Sequence, residues 1–318
     1  MNNKKTVNLS IVTTLFKSAE YITEFHKRLT CVAKKYANAN YEIIYVNNNC
    51  PDDSDKILRE IILIDTNTYL IDLSNNFGHH NAIMSGMSYA KGDLIFLIDS
   101  DLEEEPELFF NFLEAMRLNK CDVVYGVQKS RRGGIFEKVT GYLFYKLFNF
   151  FTKLSIEENL TTARLMTRRY VNALTLYEER EVTLAGLWQI VGFKQVSIYV
   201  KKIRNRKSTY TFTAKMSLFI NAITSFSNKP LILISYVGLF ISSIALLLNI
   251  VLVLQWLFLN KPIAGWTSII ASIWLIGGML ILFIGIIGIY IAKIYTETKK
   301  RPRVIIREIV KNSELDKY

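Results

Sequence analysis

The chain has few cysteines, no charge across two long stretches, and no acidic residue across a third. Its three cysteines, Cys31, Cys50 and Cys121, are widely spaced. They form neither a zinc-ligand pattern nor a disulfide framework, which fits a reducing compartment. No charged residue occurs from Pro230 to Asn260, nor again from Pro262 to Ala292. About 20 apolar residues span a bilayer, so each run is long enough for a membrane helix. Residues 260–265 (NKPIAG) are a tight Pro/Gly connection, which predicts a helical hairpin with spans at about 230–259 and 266–292. No signal peptide is expected either. Lys4 and Lys5 precede only a short apolar run, which Lys17 and Glu20 interrupt. Internal repeats and low-complexity segments are lacking.

The flanks of the apolar runs set an orientation. Lys229 precedes the first; Lys293, Lys299, Lys300, Arg301 and Arg303 follow the second; only Lys261 lies between. The positive-inside rule then places both ends, and the large N-terminal part, on the cytoplasmic side of an inner (plasma) membrane crossed twice.

What is present is strongly patterned. With 318 residues, 50% of them hydrophobic, and a formal charge of +11, the chain holds a full α/β domain and a further segment. Residues 7–15 (VNLSIVTTL) predict a strand. Residues 20–37 predict an amphipathic helix, with Tyr21, Phe25, Leu29, Val32, Ala33 and Tyr36 at helical spacing. Residues 41–46 (YEIIYV) predict a second strand, running into a polar turn where Asp53 or Ser54 can cap a helix to Ile64. Strands at 69–73, 94–98 and 121–126, and a short helix over 81–90, continue the alternation. This order predicts βαβ units and an α/β fold with a mainly parallel sheet.

Residues 92–107 (GDLIFLIDSDLEEEPE) organise the rest. Five apolar residues, Leu94 to Ile98, run straight into Asp99, Ser100 and Asp101, with Glu103, Glu104 and Glu105 close behind. A fully apolar strand suits the centre of a parallel sheet. Carboxylates at its carboxyl end sit where open α/β sheets bind ligands. Asp99 and Asp101 point the same way if the strand continues, so they can share a hard cation such as Mg²⁺ or Mn²⁺. The alternative is an acidic turn before a helix, with Asp101 as N-cap and Glu104 and Glu105 favouring its dipole. His79 and His80, in the preceding loop, read as structural or substrate-lining.

Two later stretches differ. Residues 135–154 are heavily aromatic with interspersed lysines, which fits a core helix or a helix lying on the bilayer. Residues 199–216 hold Lys201, Lys202, Arg204, Arg206, Lys207 and Lys215 and no acidic residue. So basic a segment just before an apolar span fits anionic head groups or phosphates. It carries no recognisable nucleic-acid-binding motif, so nucleic acid is not an expected partner. The aromatic surface is compatible with a homo-oligomer.

Four stretches together resemble the family 2 glycosyltransferases of the GT-A type. More narrowly, they resemble the dolichyl-phosphate mannose synthase and bacterial polyprenyl-phosphate glycosyltransferase group. The stretches are YEIIYVNNNCPDDS, LSNNFGHHNAIMSGMSYAKGDLIFLIDSDLEEEPEL, RLMTRRYVNAL, and ITSFSNKPL leading into two apolar runs. The resemblance implies a GT-A catalytic domain over 1–228, two membrane helices within 229–295 and a basic cytoplasmic tail over 296–318. It implies that Asp99, Ser100 and Asp101 form the nucleotide-sugar diphosphate site, with Asp99, Asp101 and Glu103 holding Mg²⁺ or Mn²⁺. Asn47 and Asn48 fall where the family contacts base and ribose. Arg204, Arg206 and Lys207 fall near a basic loop that would clamp the donor diphosphate or a lipid phosphate.

The departures matter. Thr14 to Ser18 replace a Pro-x-Tyr-Asn-Glu-like turn, and Asn48 lacks the usual charge. Thr162 stands where the family often has an Asp proposed as base or acceptor orienter, and Ala185 where an Arg is common. A lipid monophosphate has a second pKa of about 6, so its oxygen is already largely ionised at neutral pH. Such a nucleophile needs positioning more than a strong base. The expectation is therefore a metal-dependent hexosyltransferase-type enzyme using a nucleotide-diphosphate sugar and a polyprenyl phosphate such as undecaprenyl phosphate. Extension of a lipid-linked saccharide, or a silent membrane scaffold, are the alternatives.

Overall fold

Six of the described strands come from runs that bury most or all of their side chains, and they assemble around β1. A computed structural model describes residues 7–128, 146, 150–152, 157, 159–180, 184–201, 220, 223–259 and 265–312. The strands are β1 (Leu9–Leu15), β2 (Tyr41–Asn47), β3 (Thr68–Leu73), β4 (Leu94–Leu97), β5 (Val123–Gln128), β6 (Leu160–Thr167), β7 (Gln195–Val200) and β8 (Ile306–Lys311). They form one sheet in the order β7-β5-β6-β4-β1-β2-β3-β8. The pairs β1–β2, β1–β4, β2–β3 and β5–β7 are parallel. β8 on β3, and β6 on both β4 and β5, are antiparallel. Every residue of β1, β2 and β3 is buried, as a sheet covered on both faces requires.

The helices beside this sheet are α1 (Ile22–Ala37), α2 (Ser54–Ile64), α3 (His79–Tyr89), α4 (Leu108–Asn119), α5 (Arg168–Thr175) and α6 (Leu184–Ile190). α1 buries Ile22, Phe25, Leu29, Val32, Ala33 and Ala37, the stripe that a 3.6-residue period places on one face. It stops at Asn38, whose positive φ of 52° takes the backbone out of the helix while its N–H still bonds to Lys34 O. α3 has the small-residue composition needed to lie close against the sheet. A Cβ on Gly86 would stand 2.6 Å from Val12 Cγ1 and 2.9 Å from Val46 Cγ2.

The Gly92-Asp93 turn entering β4 is equally tight. A Cβ on Gly92 would stand 2.4 Å from the backbone nitrogen of Ser10. Gly92 N–H donates to Ser10 Oγ (2.7 Å), Ser10 Oγ donates to the buried Glu42 (2.5 Å), and Arg168 Nε donates to Gly92 O (2.9 Å). Backbone blocks the space, so no side-chain rotation relieves it. Gly92→Ala is expected to cost about 1–3 kcal/mol of stability, the usual penalty for overpacking. Thermal unfolding of the purified chain checks this, and an unchanged midpoint contradicts it.

Two units are separated in the chain: one comprises Met1–Lys146, Leu154–Tyr210 and Arg301–Tyr318, the other Leu147–Lys153 and Thr211–Lys300. The second unit contains α7 (Lys229–Leu259) and α8 (Trp266–Thr298), with 31 and 33 residues. These are the two apolar runs expected to cross a membrane. Among the described residues, one stretch, Leu275–Thr298, is long and apolar enough to do so by length and composition, with mean hydropathy 2.6 and none of it buried. The expectation of two spans is thus met by one. Within this unit Tyr290 Oη donates to Ser227 O (2.8 Å) and Lys293 Nζ to Ser225 Oγ (2.6 Å).

Residues 296–318, expected as a basic tail, contain β8, which lies antiparallel on β3 and closes that edge of the sheet.

Candidate functional site

The chain runs outward from β1 through β2 to β3, then returns to place β4 on the other side of β1. Beyond the carboxyl ends of β1 and β4 the strand order reverses, and open α/β sheets bind ligands at such a switch point. Asp99, Ser100 and Asp101 lie there. Ile98 N–H still bonds to Val12 O (3.2 Å), so the sheet holds the chain up to the residue before Asp99. Ser100 is buried and ties the two loops together. Its Oγ donates to Thr14 O (2.8 Å) and shares a hydrogen bond with Ser18 Oγ (2.6 Å). Thr14 and Ser18 belong to the stretch that departs from the family turn, and here they fix the D-S-D backbone.

The carboxylates separate by role. Asp99 is partly exposed and sits 3.7 Å from His79 Nε2, whose Nδ1 lies 3.3 Å from Thr14 Oγ1. Asp101 accepts from Glu103 N–H (3.0 Å), closing its own turn. It does not cap a helix, because α4 begins only at Leu108 with Glu107 as its N-cap. Glu104 turns inward, 1% exposed, and accepts from Ala163 N–H (2.9 Å). That bond anchors β6 beside Thr162. β6 pairs Arg164 with Leu97, and extending this register by two residues brings Thr162 level with Asp99. Next to it, Arg164 is fully buried with its guanidinium carbon 3.1 Å from the Trp188 ring centroid. Burial pushes Arg164 down to about 10, against the nearby Tyr170, Tyr125 and Glu104.

Asn47 and Asn48 are both buried, and both brace loops. Asn47 Nδ2 donates to Asp72 Oδ1 (2.8 Å) while its Oδ1 accepts from Cys50 N–H (2.9 Å). Asn48 Nδ2 donates to Asn76 Oδ1 (3.0 Å) and its Oδ1 accepts from Phe77 N–H (2.8 Å). The loops after β2 and β3 are therefore stitched together along the crevice rim. Asp52 belongs to the same rim. Burial raises its pKa, but hydrogen bonds from Cys50 Sγ, Ser54 and Ala19 N–H outweigh that and hold the carboxyl below the usual range.

Arg204, Arg206 and Lys207 lie outside the described residues, as does most of the aromatic stretch 135–154. Sequence reasoning missed Glu104 as a buried anchor and gave His79 no particular partner. The signal for the second was its place at the start of α3, directly after the β3 loop. Among the described residues no group of three or more His, Cys, Asp or Glu is arranged to hold a metal. Two carboxylates on one turn still fit Mg²⁺ or Mn²⁺, which take one or two protein carboxylates and complete their shell with substrate phosphates and water.

A sequence profile described as "Glycosyl transferase family 2" matches residues 10–175. A Mycobacterium tuberculosis protein named among "Putative glycosyltransferases" is 42% identical over 305 residues, covering 95% of this chain and 88% of that protein. The "Prophage bactoprenol glucosyl transferase homolog" of Escherichia coli is 30% identical over 308 residues, covering 96% of this chain and 100% of its own. The "Bactoprenol glucosyl transferase" of Shigella phage SfV is 31% identical over 304 residues, covering 95% of this chain and 98% of its own.

Proposed function

This chain belongs to glycosyl transferase family 2, and from that premise we propose that it moves a sugar from a nucleotide-diphosphate donor to a polyprenyl phosphate, such as undecaprenyl phosphate. The observation carrying the acceptor class is the end-to-end match to bactoprenol transferases. It covers 96% of this chain and all of one such protein, so it includes the apolar helices α7 and α8 as well as the sheet. In this reading both helices cross an inner (plasma) membrane and the catalytic domain faces the cytoplasm, with the flanking lysines and arginines inside.

The donor diphosphate lies beyond the carboxyl ends of β1 and β4, with base and ribose against the braced loops that carry Asn47 and Asn48. Asp99 and Asp101 would hold Mg²⁺ or Mn²⁺, with Glu103 at the rim of that site; when bound, the cation neutralises charge on the leaving diphosphate. Ser100, fixed by Thr14 and Ser18, keeps the two aspartates in place. Arg204, Arg206 and Lys207 supply positive charge for the donor diphosphate or the lipid phosphate. An ionised lipid phosphate oxygen attacks the anomeric carbon, and the bond from that carbon to the diphosphate oxygen breaks. The electron pair leaves with the nucleoside diphosphate. Thr162 then orients the acceptor without abstracting a proton, since the phosphate brings none that must leave.

Competing acceptors test this. Vesicle-embedded protein, given labelled UDP- and GDP-sugars and Mn²⁺, is expected to label polyprenyl monophosphate and not a polyprenyl-diphosphate saccharide. Label in the saccharide alone would move the acceptor to a sugar hydroxyl, and label in neither would overturn the reading.

A further inference from the structure

The last strand of the sheet carries an arginine onto a buried carboxylate at the rim of the donor crevice. β8 pairs with β3 and shifts register between Asp72 and Leu73, opposite Arg307. At that irregularity Arg307 Nη1 donates to Asp72 Oδ2 (3.1 Å) and Nη2 donates to Ser74 O (3.1 Å). Ser74 N–H in turn donates to Ile305 O (2.9 Å). Asp72 is only 2% exposed, and its other oxygen accepts from Asn47 Nδ2 (2.8 Å). Asn47 Oδ1 then holds Cys50 N–H (2.9 Å). A continuous chain of hydrogen bonds therefore runs from Arg307 through Asp72 and Asn47 to the turn after β2. A second contact from the same guanidinium fixes the start of the loop after β3.

We infer that Arg307 is a positioning residue for the donor nucleoside, holding the loops after β2 and β3 in their binding arrangement through Asp72 and Asn47. The inference rests on the donor reading above, because it assigns the base and ribose to those two loops. A carboxylate buried as deeply as Asp72 is costly without a counter-charge. Burial pushes its pKa above the ordinary range, and the Arg307 charge is the first influence opposing that shift. Without Arg307, Asp72 takes up a proton more readily and its grip on Asn47 weakens, because a hydrogen bond to a charged acceptor is about twice as strong as one to a neutral acceptor.

Glu308, the next residue, provides the control. Its carboxylate pairs with Arg59 Nη2 (2.5 Å) on α2, and Arg59 Nε separately holds Asp55 Oδ2 (2.9 Å), whose Oδ1 lies 3.4 Å from Asn47 Nδ2. Loss of the Glu308 pair perturbs β8 and α2 while leaving Arg307 its bonds to Asp72 and Ser74, and Arg59 its bond to Asp55.

The test titrates UDP and GDP with Mn²⁺ into the full-length protein and its variants by calorimetry, with thermal unfolding recorded alongside. Arg307→Ala is expected to weaken nucleotide binding about tenfold, the worth of one charge-assisted hydrogen bond. Arg307→Lys should recover part of that loss, and Glu308→Gln should bind as the unaltered protein does. If Arg307→Ala does not fold, Asp72→Asn replaces it, since it keeps the side-chain shape while removing the charge that Arg307 meets. Binding by Arg307→Ala within about twofold of the unaltered protein would overturn the inference. Equal weakening by Glu308→Gln would overturn it too, since strand stability would then account for the effect. If the unaltered protein binds neither nucleotide, the donor reading fails and takes this inference with it.

Discussion

Replacing Asp101 by alanine is expected to abolish measurable sugar transfer while the protein stays folded. Asp101 is partly exposed and its carboxylate closes a local turn by accepting from Glu103 N–H (3.0 Å). Substitution at such a position costs little stability compared with a change in the packed core. The reaction is hit much harder. A divalent cation on the leaving diphosphate stabilises transition-state charge by several kcal/mol, and losing about 4 kcal/mol is roughly a thousandfold in rate. Asp101→Asn sharpens the comparison, because its side-chain oxygen can still accept from Glu103 N–H while the charge is gone. Both variants should unfold near the temperature of the unaltered protein and transfer no sugar. Retained turnover in either would remove Asp101 from the site.

Glu104→Ala is expected to have the opposite profile, a large loss of stability with activity falling as a consequence. Glu104 is 1% exposed and accepts from Ala163 N–H (2.9 Å), and it is the carboxylate among the charges acting on fully buried Arg164. Truncation leaves a buried backbone donor without its acceptor and a buried guanidinium without that counter-charge. A buried donor left without its acceptor costs about 1–3 kcal/mol, and loss of the nearby negative charge adds to it, for roughly 3 kcal/mol together. For a domain of this size that lowers the unfolding midpoint by roughly 10 °C. Glu104→Gln should lie between, because the amide oxygen keeps the bond to Ala163 and only the charge is lost. A midpoint within about 2 °C of the unaltered protein in the alanine variant would contradict this account of the interior.

The difference between these neighbouring acidic residues also marks what the sequence could disclose. β1 to β4 were legible because each is a short apolar run bounded by turn residues, and α1 because its apolar stripe repeats at the helical period. The crevice was legible too, since an apolar strand ending in D-S-D has one natural place in a parallel sheet. β6 was not, because a run with threonines and Arg164 does not look like a buried strand until Trp188 and Glu104 are packed against it. β8 was not, because its polar residues follow a basic flank, and only pairing with β3 gives them a role. The pattern of acidic residues could not separate Asp101, which faces the crevice turn, from Glu104, which points into the core. Nor could it show that Asn47 and Asn48 spend their side chains on Asp72, Cys50, Asn76 and Phe77. Long-range partners decide such roles, and those depend on register and loop closure rather than local spacing.

The most direct measurement is calorimetry of nucleoside diphosphates with detergent-purified full-length protein, with and without Mn²⁺, beside Asp101→Ala. The account predicts that one nucleotide binds, that binding requires the cation, and that the variant loses it. Binding of no nucleotide under either condition would contradict a donor site beyond β1 and β4 and leave the chain as a silent membrane scaffold.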